Sequence, residues 1–413
     1  MTSSVLRSIL PPLSPDEQQH SARVAAHLRQ AIAAGGGWLS FERFMELALY
    51  APGLGYYSAG STKLGASGDF VTAPEVSELF SRCVAAQCAE VLSATGGEIL
   101  ELGAGTGRMA VDVLRALAGL GVLPRRYAIL EVSADLAERQ RARVAALPTS
   151  LRERVVWFER LPEKPLSGVV LANEVLDALP CQRFVVLDEG TAADAEVATA
   201  AGFASEPSGG IGEIGVGLEG DQFVERAAAP SAALQGACQS LLRELPQPLP
   251  RGYVSEVCLR IEPWIASLGE SLERGLVLLF DYGLPRAHYY HPQRVSGTLQ
   301  CHFKHIAHDD PYRNVGVQDI TAWVDFTRVA EAASSAGLEV GGFGTQAAFL
   351  LATGIERFAA QAEGIVAQTR AAGEARRLLL PGEMGEAFKV MGLTRAYDTP
   401  LRGFSLQDLR HSL

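Results

Sequence analysis

Glu98-Ile-Leu-Glu-Leu-Gly-Ala-Gly-Thr-Gly107 is the stretch on which the reading of the fold turns. Ile99, Leu100 and Leu102 form a short apolar run with Glu101 near its end, and glycines follow at alternate positions, Gly103, Gly105 and Gly107. From Arg108 the period changes. Met109, Val113, Leu114, Leu117 and Leu120 recur at helical spacing, with Gly119 and Gly121 as stop signals. Strand, glycine turn and helix make the opening unit of a nucleotide-binding α/β sheet. Glycine lets the backbone turn tightly and lets a ligand touch main chain with no Cβ in the way.

The details choose among ligands. A dinucleotide fingerprint needs G-x-G-x-x-G, and its third glycine would fall on Arg108. A phosphate-cradling loop needs Gly-Lys-Ser/Thr, which is missing here. Acidic-x-Gly-x-Gly-x-Gly suits S-adenosylmethionine, which has no phosphate, a cationic sulfonium and a zwitterionic tail. Glu101 can face the cationic end. The next strand, Tyr127-Ala-Ile-Leu-Glu131, closes on a carboxylate that can hold the ribose diol. The alternative is a glycine turn that serves packing alone.

The rest of the chain extends this unit. Residues 16–33 carry a helical pattern broken by Gly35, Gly36 and Gly37, and Ser40 reads as the N-cap of a helix over 41–50. Thr72-Ala-Pro-Glu75 reads as a capping box that opens a long helix to about Leu92. Ser133 caps an Arg-rich helix to Ala146, 154–161 is a third strand, and 168–180 is a fourth strand running into a helical turn. Such alternation implies parallel pairing, with sites at the carboxyl ends of the strands. Residues 182–274 interrupt it with strand-like runs at 182–187 and 223–226, a Gly/Ala-rich stretch over 189–220 and a helix near 230–243. Leu276-Val-Leu-Leu-Phe-Asp281-Tyr-Gly283 resumes it as a buried parallel strand. A His-rich loop over 288–308, a helix near 317–335 and a mostly helical tail ending near 388–393 complete the chain.

Bulk properties narrow the function. The 413 residues are 48% hydrophobic and 20% charged, ordinary for a soluble globular protein of two or three units. A net charge of −11 argues against a general nucleic-acid binder and is compatible with a basic partner. No apolar run approaches the roughly 20 residues of a membrane span. Met1–Leu10 carries one basic residue and no signal-like apolar segment, so a cytoplasmic protein is expected. Six cysteines without a C-x-x-C pair read as reduced thiols. Cys301, His302, His305 and His308, with His288 and His291 nearby, lack the closed four-ligand pattern of structural zinc and read as a loop rim rather than a metal site.

Chemistry points to the end of the fourth strand. Glu174 and Asp177 stand three apart with Asn173 before them. Two carboxylates can clamp the rigid donor fork of a guanidinium and draw its charge away from an attacking nitrogen. The bland reading is a solvated face.

Beyond these residues the chain resembles the MidA family of class I S-adenosylmethionine-dependent methyltransferases, bacterial relatives of a mitochondrial complex I assembly factor that methylates an arginine. The resemblance rests on Pro52-Gly-Leu-Gly-Tyr-Tyr57, Gly68-Asp-Phe-Val-Thr-Ala-Pro-Glu75, Glu101-Leu-Gly-Ala-Gly-Thr-Gly107 and Ala172-Asn-Glu-Val-Leu-Asp-Ala-Leu-Pro180. Asp281-Tyr-Gly283, Gln318-Asp-Ile-Thr-Ala-Trp-Val-Asp-Phe326, Thr345-Gln346 and Met384-Gly-Glu-Ala-Phe-Lys-Val390 extend it. It implies an α/β, Rossmann-like seven-stranded core with an N-terminal helical segment and an inserted α+β subdomain. The corresponding division is 1–75, 76–181, 182–274, 275–347 and a C-terminal helical segment over 348–413. Gly68, Asp69, Glu101, Gly103, Ala104, Gly105, Glu131, Val132, Leu161 and Asn173 would lie around S-adenosylmethionine, and Asn173, Glu174 and Asp177 would face the acceptor. The expected activity is methylation of a protein arginine. Methylation of a small-molecule amine or hydroxyl, or a SAM-binding assembly role without turnover, stand as alternatives. The partners expected are an arginine-bearing protein and a second copy of the chain, with neither nucleic acid nor membrane.

Overall fold

A computed structural model describes residues 10–58, 72–187 and 210–413. The chain divides in space into two units, one made of Met1–Phe70, Ala178–Arg260 and Ala287–Ala322, the other of Val71–Asp177, Ile261–Arg286 and Trp323–Leu413. The helices of the N-terminal segment thus share a unit with most of 182–274, while residues 261–274 belong with the sheet that follows them.

The second unit holds the core sheet. Its strands are β1 (Glu98–Leu102), β2 (Tyr127–Leu130), β3 (Val155–Phe158), β4 (Leu166–Asn173), β5 (Leu272–Leu284), β6 (Glu339–Thr345) and β7 (Phe388–Arg395). They lie in the order β3-β2-β1-β4-β5-β7-β6, and Val324–Asp325 adds a short eighth strand beside β5. Strands β1 to β5 pair in parallel with Leu100 opposite both Ala128 and Val170, and Val170 opposite Val277. β7 runs antiparallel to both its neighbours. This is the Rossmann-like methyltransferase fold. Helices Glu78–Thr95 and Arg108–Leu120 supply Phe80, Val84, Val113 and Leu114 to the core beside Ile99, Val169 and Leu278. Leu276 to Phe280 are at most 1% exposed, because a parallel strand is covered on both faces. The order reverses between β1 and β4, and ligand crevices of such sheets open at that switch point.

Four local expectations change. The helix expected near 317–335 starts only at Phe326, because Asp319–Thr321 is drawn into a strand beside Gln300–His302. Thr72 makes no side-chain cap; Ala73–Val76 is a single turn, and Ser77, extended at ψ 144°, breaks the helix. The Ser77 hydroxyl instead caps Glu78–Thr95 by accepting from Leu79 N at 3.1 Å, and donates to Glu374 at 2.5 Å. Glu75 is drawn away by the Thr106 hydroxyl and by Arg108, which lies 3.7 Å from its carboxylate, so the capping box never closes. Residues 388–393 are strand, not helix: Val390 pairs with Phe280 on one side and Gly344 on the other, and enclosure between two strands overrides helical propensity. After β4 the chain makes an irregular turn, not a helical one.

In the first unit, Ser14 and Glu17 form a capping box on helix Pro15–Ala34, and Ser40 caps Phe41–Tyr50. Gln182–Val186 pairs antiparallel with both Val254–Val257 and Ile211–Glu219. That last strand occupies the end of the stretch read as low complexity. Its glycines have a packing reason. A Cβ on Gly215 would sit 2.4 Å from both Leu39 O and the Trp38 ring, so only glycine lets Leu39–Ser40 pair there. We expect Gly215→Ala to cost about 1–3 kcal/mol in urea unfolding. Gly236→Ala, in the exposed middle of helix Ala232–Glu244 with open space around it, should instead stabilise by about 0.5–1 kcal/mol.

Candidate active site

At the carboxyl end of β1 the backbone turns through Gly103, Gly105 and Gly107 with φ of 62°, 54° and 79°, a left-handed run that only glycine enters freely. Gly107 is the N-cap of helix Arg108–Leu120 and offers no side-chain cap, so the first N–H groups of that helix are open to a ligand. Ala104, between the glycines, is buried. Thr106 is tied to Glu75, and Arg108 donates to Glu75 O at 3.1 Å and lies 3.4 Å from Asp112. The turn is therefore braced from outside by Glu75, a role the sequence does not announce.

The end of β2 supplies a second polar group. Glu131 accepts from Ser133 N at 2.8 Å on one oxygen and from the Gln140 amide at 2.8 Å on the other. Partial burial raises its pKa, and these two donors oppose that rise. A carboxylate has about four acceptor positions. The neighbouring Val132 N–H takes part of what Ser133 and Gln140 leave, and the remaining acceptor capacity can meet a ribose hydroxyl. Val132 beside it is 82% exposed, a large apolar side chain left open at a strand end, and Leu161 stands half-buried beyond β3. Glu101 is placed differently. It is 1% exposed and accepts from the Tyr127 hydroxyl at 2.7 Å. Burial pushes its pKa up to about 7, against the Tyr127 hydrogen bond.

The ends of β4 and β5 form the third group. Asp281, 1% exposed, accepts from the N–H groups of Val175, Leu176 and Asp177 at 3.2, 2.8 and 3.3 Å, and from Tyr282 N at 2.9 Å. Those bonds wrap the 174–177 turn around one carboxylate. Glu174 is left-handed at φ 55°, its N–H extends the β4–β5 ladder to Phe280 O at 2.9 Å, and its carboxylate accepts from the Asn173 amide at 3.0 Å. Asn173 Oδ1 is buried and, among the described residues, accepts no hydrogen bond. Asp177 is 6% exposed. Tyr282 packs against Phe388 with ring centroids 3.8 Å apart and planes tilted by 40°, and its pKa is driven up by burial and then by the charges of Glu174, Asp177 and Asp281. Burial, then Glu174, likewise raises the pKa of Asp281. Three carboxylates and a phenol thus share one small space. Sequence reasoning noted Asp281 at its strand end but did not give it or Tyr282 a role; the acidic residue closing an apolar strand was the available signal.

The arrangement fits S-adenosylmethionine: a left-handed glycine main-chain turn, a carboxylate with acceptor capacity left, an exposed apolar residue beside it and, at the end of β4, an amide oxygen without a hydrogen-bond partner among the described residues. Gly68 and Asp69 lie outside the described residues. The His-rich stretch falls in the other unit, where Gln300–Phe303 and Ile306–His308 form a hairpin turning through left-handed Lys304 and His305. A cleft of about 580 Å³ elsewhere in the core unit is walled by Arg82, Asp112, Arg115 and Phe358. Arg115 pairs there with Asp112 and Arg82 with Glu78, and none of its lining residues is among the strand-end polar groups described above.

Comparison with known proteins agrees. The model of a family of S-adenosyl-L-methionine-dependent methyltransferases, Methyltransf_28, matches residues 83–344. A solved COG1565 superfamily protein from Burkholderia thailandensis, bound to S-adenosyl-homocysteine, is 38% identical. It superposes with a TM-score of 0.87 over 98% of this chain and 100% of its own. Among curated relatives, the protein arginine methyltransferase NDUFAF7 homolog of Drosophila melanogaster is 27% identical over 79% of this chain and 74% of its own length. The Mus musculus NDUFAF7 protein is 26% identical over 92% and 86%. The glycine turn, the strand order and these matches converge: the chain belongs to the MidA family of S-adenosylmethionine-dependent methyltransferases.

Proposed function

We propose that the protein methylates a side-chain nitrogen of arginine in a protein substrate. The observation that carries this reading is the cluster of Glu174, Asp177 and Asp281 at adjoining strand ends, with one member, Asp281, fixed by four backbone N–H groups. The curated relatives named above are protein arginine methyltransferases, which supports the same acceptor.

When bound, S-adenosylmethionine supplies an electrophilic methyl on a sulfonium and keeps the S–C electron pair as that bond breaks. The chain's own residues do the rest by positioning and electrostatics. The glycine turn lies against the cofactor through its main chain, and Glu131 takes the ribose. Glu174 and Asp177 receive the donor fork of a guanidinium bidentately, which a lone amine cannot reproduce. Their charge localises the cation on the nitrogens they touch and leaves the third nitrogen its lone pair for in-line attack. The proton lost from that nitrogen after transfer passes to a neighbouring carboxylate, Glu174 or Asp177, and from there to solvent.

The test is transfer of labelled methyl from S-adenosylmethionine into a lysate of cells lacking this protein. Wild type should label a protein band that hydrolyses to methylarginine, and Glu174→Gln should lose it while still binding S-adenosylhomocysteine. Label confined to small molecules would overturn the arginine reading. A second expectation concerns the turn. Asp281→Asn turns an amide toward backbone donors, so kcat/KM should fall by roughly a hundredfold. Affinity for S-adenosylhomocysteine should stay within about threefold by calorimetry, because the glycine turn and Glu131 lie at the ends of β1 and β2 and make no hydrogen bond to Asp281.

A further inference from the structure

Gln140 lies on helix Ala134–Val144, fully enclosed, where an apolar core residue would be the simpler choice. Both polar atoms of its amide are paired. Nε2 donates to Gly105 O at 3.0 Å and to Glu131 Oε2 at 2.8 Å, and Oε1 accepts from the Trp157 indole at 3.0 Å. The orientation follows from chemistry: indole N–H is donor only, so the amide oxygen must face Trp157 and both N–H bonds must face the glycine turn and the carboxylate. Trp157 is held in turn by the Arg141 guanidinium 5.0 Å over its ring. The turn also packs on Gln140 directly. A Cβ on Gly107 would meet the Gln140 Cα at 3.2 Å.

The geometry points to Gln140 as a positioning residue for the cofactor, a tie that fixes the glycine turn and the ribose carboxylate relative to each other, with Trp157 setting its orientation. This rests on the reading of Glu131 as the residue that takes the ribose. One amide spans the two strand ends that hold different parts of the same ligand, so the site is set before the ligand arrives and little ordering remains to be done on binding. The tie also keeps Glu131 ionised. Burial raises its pKa while the Gln140 amide opposes that, and the ionised carboxylate is the better acceptor for a ribose hydroxyl. The charged groups around Glu131 are Glu101 on β1, which shares a charge repulsion with it, and Arg141 across the Trp157 ring.

Calorimetry with S-adenosylhomocysteine tests this on the full chain as wild type, Gln140→Met, Glu131→Gln, the double variant and Trp157→Phe. Gln140→Met should weaken binding roughly tenfold to a hundredfold, and Trp157→Phe, which frees the amide to flip, about threefold to tenfold. In the Glu131→Gln background, Gln140→Met should cost less than about threefold, since its partner charge is gone. Binding weakens as pH falls and Glu131 gains a proton. In Gln140→Met that loss should set in at higher pH than in wild type, while the Glu101 contribution is common to both. Equal losses in both backgrounds with an unshifted pH profile would assign Gln140 to packing alone and overturn the inference. Unchanged affinity in Trp157→Phe, whose Gln140 and Glu131 are intact, would overturn the orienting role even if Gln140→Met fails to fold. If Glu131→Gln itself binds normally, the ribose reading fails and the inference falls with it.

Discussion

A carboxylate almost wholly removed from water is costly unless charge or hydrogen bonds replace the lost solvation. Asp281 receives four backbone N–H groups, three of them from the single turn that follows β4. The dependence runs both ways. Without the carboxylate, Val175, Leu176 and Asp177 would leave donors unpaired within the sheet's edge; without the turn, the charge at the end of β5 would have no partners. Leaving such a charge or its donors uncompensated costs about 3–5 kcal/mol, a large share of a domain's net stability. This makes the 174–177 turn part of the core, although it is irregular in backbone.

The left-handed conformation of Glu174 is the visible cost of that arrangement. A glutamate at φ 55° carries strain of order 1–3 kcal/mol and persists only where its surroundings over-determine it. Here the N–H to Phe280 O fixes one side, and the following N–H groups converging on Asp281 fix the other. The strain turns the Glu174 side chain back to the Asn173 amide, on the strand end and not along a helix. A helical turn, the simpler reading of Asn-Glu-Val-Leu-Asp, would have sent the two carboxylates out along a helix face.

The sequence made the β1 turn, the helix after it and the β2 carboxylate legible because each depends on local signals: glycine spacing, a 3.6-residue period, an acid closing an apolar run. Asn173, Glu174 and Asp177 were legible as a group for the same reason. What escaped depends on distant partners. Strand β7 reads as helix until Phe280 and Gly344 are seen on its two sides. Glu75 reads as a capping residue until Thr106 takes it. Gln140 looks like one polar position among several on an Arg-rich helix, and nothing in its neighbours in sequence shows that Gly105, Glu131 and Trp157 converge on it. Glu101, read as facing the cofactor, meets the Tyr127 hydroxyl across one strand spacing, a contact set by register.

The two halves of the site then follow one rule by different means. On the cofactor side a neutral amide joins a main-chain turn to a carboxylate; on the acceptor side a buried carboxylate joins a main-chain turn to its neighbours. In both, the group that would touch a ligand is held by a residue that does not, and every polar side-chain atom of that residue is hydrogen-bonded, so it cannot rearrange without leaving a buried polar atom unpaired. Methyl transfer between two bound partners draws its rate from alignment, with reacting atoms held at about 3–3.5 Å. A site built on irregular turns reaches that tolerance only if the turns are as constrained as strands. Asp281 and Gln140 give the two turns that constraint, one from the end of β5 and the other from the helix after β2.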